Sequence, residues 1–288
     1  MSTRTDTGTR PASTPAAGAS ATFRGAVAAE WTKLSSVRST WWTALAGLLV
    51  MFASAGQLAI YVANDNTNDD PTDDLGIVTV GSVLIDSVEM TQYVVLALGL
   101  LAITAEFTSG TIRTTLQCTP SRGRVLLAKA AVAGAVTFGL GLVLGGVGAL
   151  VARPVLGEWG SAPAAGTIGD IVAVATYLAL IGVLALGLGA ALRSAVLTLT
   201  VLLATLMIVP LSLQEPDIDV LNRIADVFPG VAGGHFLAGD TEAYPPVVGL
   251  LLLAGWDDAA EAEMVGVQRV VTEIRRFRSD QGLRPTQR

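Results

Sequence analysis

The chain is poor in the residues that most enzymatic and metal chemistry draws on. Its 288 residues include a single cysteine, Cys118, and a single histidine, His235. One cysteine excludes an internal disulfide framework and a multi-cysteine metal site, and one histidine excludes a histidine-cluster metal centre. Charge is scarce too: 15% of residues are charged and 6% aromatic, whereas a soluble domain carries about a quarter of its residues as charge. Lysine is confined to Lys33 and Lys129, neither preceded by glycine. The chain therefore has no phosphate-binding loop of the G-x-x-x-x-G-K-[ST] kind. A net charge of -6 and a pI near 4.8 argue against a nucleic-acid partner. No Ser, His and Asp set has the spacing of a catalytic triad, and His235, in GGHFLAG, reads as an interfacial residue rather than a catalytic one.

Apolar residues fill the chain instead, at 51% with a mean hydropathy of +0.58. Uncharged runs approach the roughly 20 residues that cross a bilayer. The expected fold is an all-α polytopic membrane protein with five full transmembrane helices, at about 41–62, 88–107, 125–152, 171–192 and 195–213. A truncated sixth follows at 247–256, where VVGLLLLAGW stops at Asp257; it reaches only about 15 Å, half the hydrocarbon thickness. With the second run taken as its uncharged part, Thr91 to Ala105, Lys129 is the only charge in these runs, and it lies near a helix end, where a lysine can snorkel to the interface. No ionisable group is expected near the midplane, which argues against an ion-coupled carrier.

Residues 1–22, rich in Thr, Ser, Ala, Pro and Gly, read as a disordered tail. Phe23, Val27, Trp31 and Leu34 then share one helical face, with Arg24, Glu30, Lys33 and Arg38 interleaved. This is either a helix lying on the membrane surface or the solvated start of the first span. The loop after the first span carries Asp65, Asp69, Asp70, Asp73, Asp74, Asp86 and Glu89 without Lys or Arg, and the next carries Arg113, Arg122, Arg124 and Lys129. The positive-inside rule places the N-terminus and the Glu106 to Arg124 loop in the cytoplasm and the acidic loop outside, in a multi-pass protein of the plasma membrane.

Within Ala105 to Ala130, Ser109 and Gly110 supply a turn, Thr111 to Leu116 form one or two helical turns, and Pro120 closes the unit. Such a polar knob fits a docking element and an ordinary positive-inside loop equally. Gly141 and Gly145, spaced G-x-x-x-G, permit close helix approach, within the subunit or across a dimer.

AEWTKLSSVRSTWW at Ala29 to Trp42, and AEFTSGTIRTTL at Ala105 to Leu116 followed by PSRGRVLLAKA, resemble the permease subunit of ABC-2 type ABC transporters in its actinobacterial style. The resemblance covers about residues 23–256. It implies a non-enzymatic six-helix exporter half with an N-terminal interfacial helix that includes Glu30, Trp31, Lys33 and Leu34. It also implies a cytoplasmic coupling helix, Glu106, Thr108, Ser109, Gly110, Thr111, Ile112 and Arg113, that engages a separate ABC ATPase. ATP would be used by that partner, with no cofactor bound by this chain. A second permease copy, in a homo- or heterodimer, would complete the path across the bilayer, and an amphiphilic or lipid-like cargo fits its apolar spans.

Residues 257–288 differ in character, with Met264, Val267, Val271 and Ile274 on one stripe of an amphipathic, soluble-type helix. VVTEIRRFRSDQGLRP is similar to the helical end of the anticodon-binding domain of valyl-tRNA synthetase. The catalytic domain of that family is absent, so no aminoacylation is implied. The junction near Trp256 reads either as a fusion or as a chimeric frame that joins two incomplete parts and yields a non-functional product.

Overall fold

The computed structural model describes residues 23–68, 74–109, 122–239, 241 and 243–257, with the backbone alone at 105–109 and 122–125. The uncharged runs form helices because hydrocarbon offers no hydrogen-bond partner and a helix satisfies its backbone internally. In chain order the helices are α1 (Phe23–Ser36), α2 (Arg38–Asp65), α3 (Val80–Ser109), α4 (Arg122–Leu156), α5 (Ala164–Leu192), α6 (Ala195–Gln214), α7 (Asp219–Ala225), α8 (Pro229–Ala238) and α9 (Pro246–Asp257). Five of them, α2 to α6, are long and apolar enough to cross a membrane, and α9 is a shorter apolar helix. The chain is a multi-pass helical membrane protein.

Two short strands fix which connections share an end of the bundle. β1 (Val78–Thr79) pairs in parallel with β2 (Gly160–Ser161), Val78 opposite Gly160, so the α2–α3 and α4–α5 connections lie side by side. Asn66 braces the same end: its amide donates to Val62 O and Gly76 O, and its oxygen accepts from Gly76 N–H at 2.7 Å. At the opposite end, which carries α1, a tight turn joins α5 to α6. Arg193 takes the left-handed conformation that ends α5, and the Ser194 hydroxyl caps α6 by accepting from Leu197 N–H.

α5 is the central helix, with Val174, Leu178, Ile181, Leu184 and Ala185 buried against its neighbours. α3 crosses it so closely that a Cβ on Gly99 would sit 2.3 Å from Gly182 O. Gly141 and Gly145 of α4 face α5 as well, against Ala175 and Ile171. In lipid, where no hydrophobic effect separates helix from solvent, contacts of this kind hold the bundle together.

The 214–246 connection contains α7 and α8, and α8 folds back into the bundle. Pro210 lacks an N–H, so the Leu206 carbonyl loses its α-helical donor, and α6 relaxes into a π turn at Ala204–Ile208. α8 packs there: Gly230 abuts the Leu206 carbonyl, and Gly233 lies on the Tyr177 ring. Counted at about 1.5 Å per residue, these contacts lie roughly 12 to 20 Å inside the helix ends.

Two span boundaries also differ from the expectation. α3 begins at Val80, so Asp86 and Glu89 belong to a span rather than to the acidic loop. α5 begins at Ala164 and includes Asp170. Hydropathy penalises a charge wherever it falls, whereas the helix accepts one that faces protein. Gly81 leaves the space that the Asp170 carboxylate occupies, since a Cβ there would lie 1.8 Å from Asp170 Oδ2. Of the remaining expectations, the tails at 1–22 and 258–288 lie outside the described residues.

The α3–α5 crossing gives a direct test. Gly99→Leu should cost about 1–3 kcal/mol through overpacking against the Gly182 backbone and lower the unfolding temperature of the purified protein in detergent. An unchanged unfolding temperature would show that the two backbones do not meet as described.

Candidate functional site

At the α1 end, the buried contact of α1 is made by a charge. Glu30 turns toward α4, where Lys129 Nζ donates to Glu30 Oε2 at 2.5 Å and Lys33 Nζ to Oε1 at 2.6 Å. The Glu30 and Lys129 side chains are each 5% exposed, while Lys33 reaches solvent. Burial opposes the charged form of Glu30, but the hydrogen bonds and charges of Lys129 and Lys33 outweigh it and hold the carboxyl below its ordinary 4.5. Lys129 therefore does not snorkel: it lies in the second turn of α4 and its charge is spent on α1 rather than on the interface.

The apolar stripe expected on α1 is divided. Val27 and Leu34 are half-buried, whereas Phe23 and Trp31 are exposed, Trp31 at 54%. The side of α1 turned from the bundle thus presents aromatic surface. Trp41 at the start of α2 donates its indole N–H to Ser35 O at 3.1 Å and fixes the corner between the helices.

The expected coupling segment starts at the same end. Glu106, Thr108 and Ser109 are in the last turn of α3, where the backbone alone is described. Gly110, Thr111, Ile112 and Arg113 lie outside the described residues. α4 resumes at Arg122, two turns before Lys129. Gly141 and Gly145, further along α4, contact α5 of the same chain.

The opposite end holds a feature that the sequence reading missed, a cleft of about 530 Å³ between α3, α5, α6 and α8. Asp86, Glu89, Gln92 and Tyr93 line its α3 wall and Tyr177 its floor. Tyr177 donates to Gln92 Oε1 at 2.5 Å, and Gln92 Nε2 donates to Glu89 O, so the floor is internally bonded. Asp226 accompanies His235, with 3.4 Å between Oδ1 and Nε2. Tyr244 donates to Asp226 O and meets the His235 ring edge-on. Burial and the charge on Asp226 push the Tyr244 phenol up to about 12. Among the described residues, no three His, Cys, Asp or Glu side chains are grouped to hold a metal ion.

A signal for the cleft was present in the sequence: Asp86, Glu89 and Tyr93 recur at spacings of three and four and so share one face of a helix. The walls from α6 and α8 gave no such signal. No protein-family model matches the chain, and no curated protein is significantly similar to it.

The ion pair generates two expectations. Glu30→Gln removes the carboxylate that both lysines share and should cost about 3–5 kcal/mol; Lys129→Met leaves Glu30 paired with Lys33 and should cost less, and the double variant should cost less than the sum of the two. Equal additivity in detergent unfolding would refute the pairing. Because the folded pKa of Glu30 is lowered, its contribution is full above pH 4.5 and is lost as pH falls through the lowered value. Proteolysis at α1 should therefore stay slow at neutral pH and rise only below 4.5.

Proposed function

We propose that the chain is the membrane permease subunit of an ABC-2 type exporter, working as a dimer and coupled to a separate ATPase that binds and hydrolyses ATP. The observation that supports this most is the buried Glu30–Lys129 pair, which joins the N-terminal helix to the first turns of α4 beside the 110–121 connection. A permease without its own motor needs a stiff element at the point where the motor pushes. Separating α1 from α4 would break a buried, hydrogen-bonded contact between opposite charges, so the two helices move as one body. Force on the 110–121 segment then reaches α5 through the Gly141 and Gly145 contacts, and α3 through the Gly99–Gly182 crossing. Rigid rotation of packed helices is an ordinary way of passing such a motion to the other face of a membrane.

In this reading the α1 end is cytoplasmic, the strand-paired end is outside, and the membrane is the plasma membrane. The exposed Phe23 and Trp31 belong at the lipid interface. A second reading, an ion-coupled carrier, is favoured by one observation: Asp86 and Glu89 lie within a span. The two differ in whether transport by reconstituted vesicles requires ATP hydrolysis by an added partner.

Gly110→Pro and Arg113→Glu should each abolish co-purification of the ATPase while leaving the permease folded; retention by both would remove the coupling assignment. The single cysteine offers a topology probe, because Cys118 lies between α3 and α4. A membrane-impermeant maleimide should label Cys118 in inverted vesicles and leave intact cells unlabelled. The opposite pattern would reverse the orientation.

A further inference from the structure

The cleft at the strand-paired end has the size of a small-molecule site, since pockets for such ligands run from about 300 to 1,000 Å³. Its walls combine two chemistries. Leu206, Met207 and Leu211 of α6 give an apolar side, and the described lining residues include the carboxylates Asp86, Glu89 and Asp226 with no lysine or arginine. Asp226 is turned to His235, while the side chains of Asp86 and Glu89 are exposed. Both belong to α3, a helix long and apolar enough to cross the membrane. Facing lipid, a carboxylate at that position would cost several kcal/mol, so this face requires water or a positive group beside it.

We infer that the cleft binds a lipophilic organic cation, its apolar body against Leu206, Met207 and the Tyr93 and Tyr177 rings, its charge beside Asp86 and Glu89. An inorganic ion fits less well, because among the described residues the carboxylates are not gathered into a metal-holding group. A zwitterionic lipid headgroup brings a phosphate that would meet the same carboxylates. An aromatic or alkyl cation with diffuse charge needs neither chelation nor full hydration, and tyrosine rings add attraction to it. The inference deepens the exporter reading by naming a cargo class. It rests on that reading for transport only, since binding belongs to this chain alone.

The experiment measures binding of radiolabelled tetraphenylphosphonium to the full chain in nanodiscs, with binding to empty discs subtracted. Tetraphenylborate serves as a probe of the same shape and opposite charge. Saturable binding of the phosphonium and none of the borate is expected. Asp86→Asn combined with Glu89→Gln should weaken binding about tenfold or more, whereas Asp74→Asn, outside the cleft, should not. Gly234→Leu tests the cavity without touching charge: Gly234 lines the cleft, and a Cβ there meets nothing within 4 Å. It should weaken binding while leaving the unfolding temperature unchanged. Equal binding of the borate, or undiminished binding in both the charge variant and Gly234→Leu, would overturn the inference. So would loss of binding in phosphatidylcholine discs with retention in discs lacking it, which would assign the cleft to a lipid headgroup. Co-purification of the ATPase is read in parallel: failure of cation binding with recruitment intact sinks the cleft alone, and the converse sinks the coupling assignment alone.

Discussion

Hydrocarbon supplies no hydrogen-bond partner, and the arrangement of the polar groups in the described spans follows from that. The backbone responds by forming helices. Serine and threonine in the spans respond locally: Ser87, Thr91, Thr104, Thr137 and Thr198 each donate to the carbonyl four residues earlier. These bonds let hydroxyls sit at buried helix contacts, as Thr137 does against Gly182.

Full charges have no such local remedy, and the chain handles them in two ways at its two ends. At the α1 end a carboxylate and an ammonium neutralise each other across two helices, and the pair becomes a mechanical joint. At the other end Asp86 and Glu89 remain exposed on a wall of the cleft, where polarity serves recognition rather than cohesion. The first arrangement is rigid because breaking it separates opposite charges that are both buried. The second is receptive because its charge is not consumed internally.

The helical fold was legible in the sequence because membrane spans announce themselves by length and lack of charge. Boundaries were less so: α3 was expected to start at 88 and starts at Val80, because a hydropathy window rejects Asp86 and Glu89 without knowing that they face a cleft. The Glu30–Lys129 pair joins residues 99 apart in sequence, and periodicity on α1 marked Glu30 as part of the polar face. No local pattern reveals that a charge will be buried by a distant opposite one. The re-entry of α8 was hidden for a similar reason, since GVAGGHFLAG is too short and too rich in glycine to read as a spanning helix.

The π turn in α6 has a consequence of registration. It holds one residue more than an α turn, so everything beyond Ile208 is rotated by about 100° relative to an unbroken helix. Pro210, Leu211 and Gln214 border the cleft in that rotated frame. Elsewhere in a span, loss of one residue breaks the match between a helix face and its neighbours. Between Ala204 and Ile208 it would instead restore a regular helix and leave Pro210, Leu211 and Gln214 facing the cleft, whereas closing the π turn with all five residues kept would swing that wall away. The wide turn, more than the identity of its five side chains, decides which residues of α6 face the cleft.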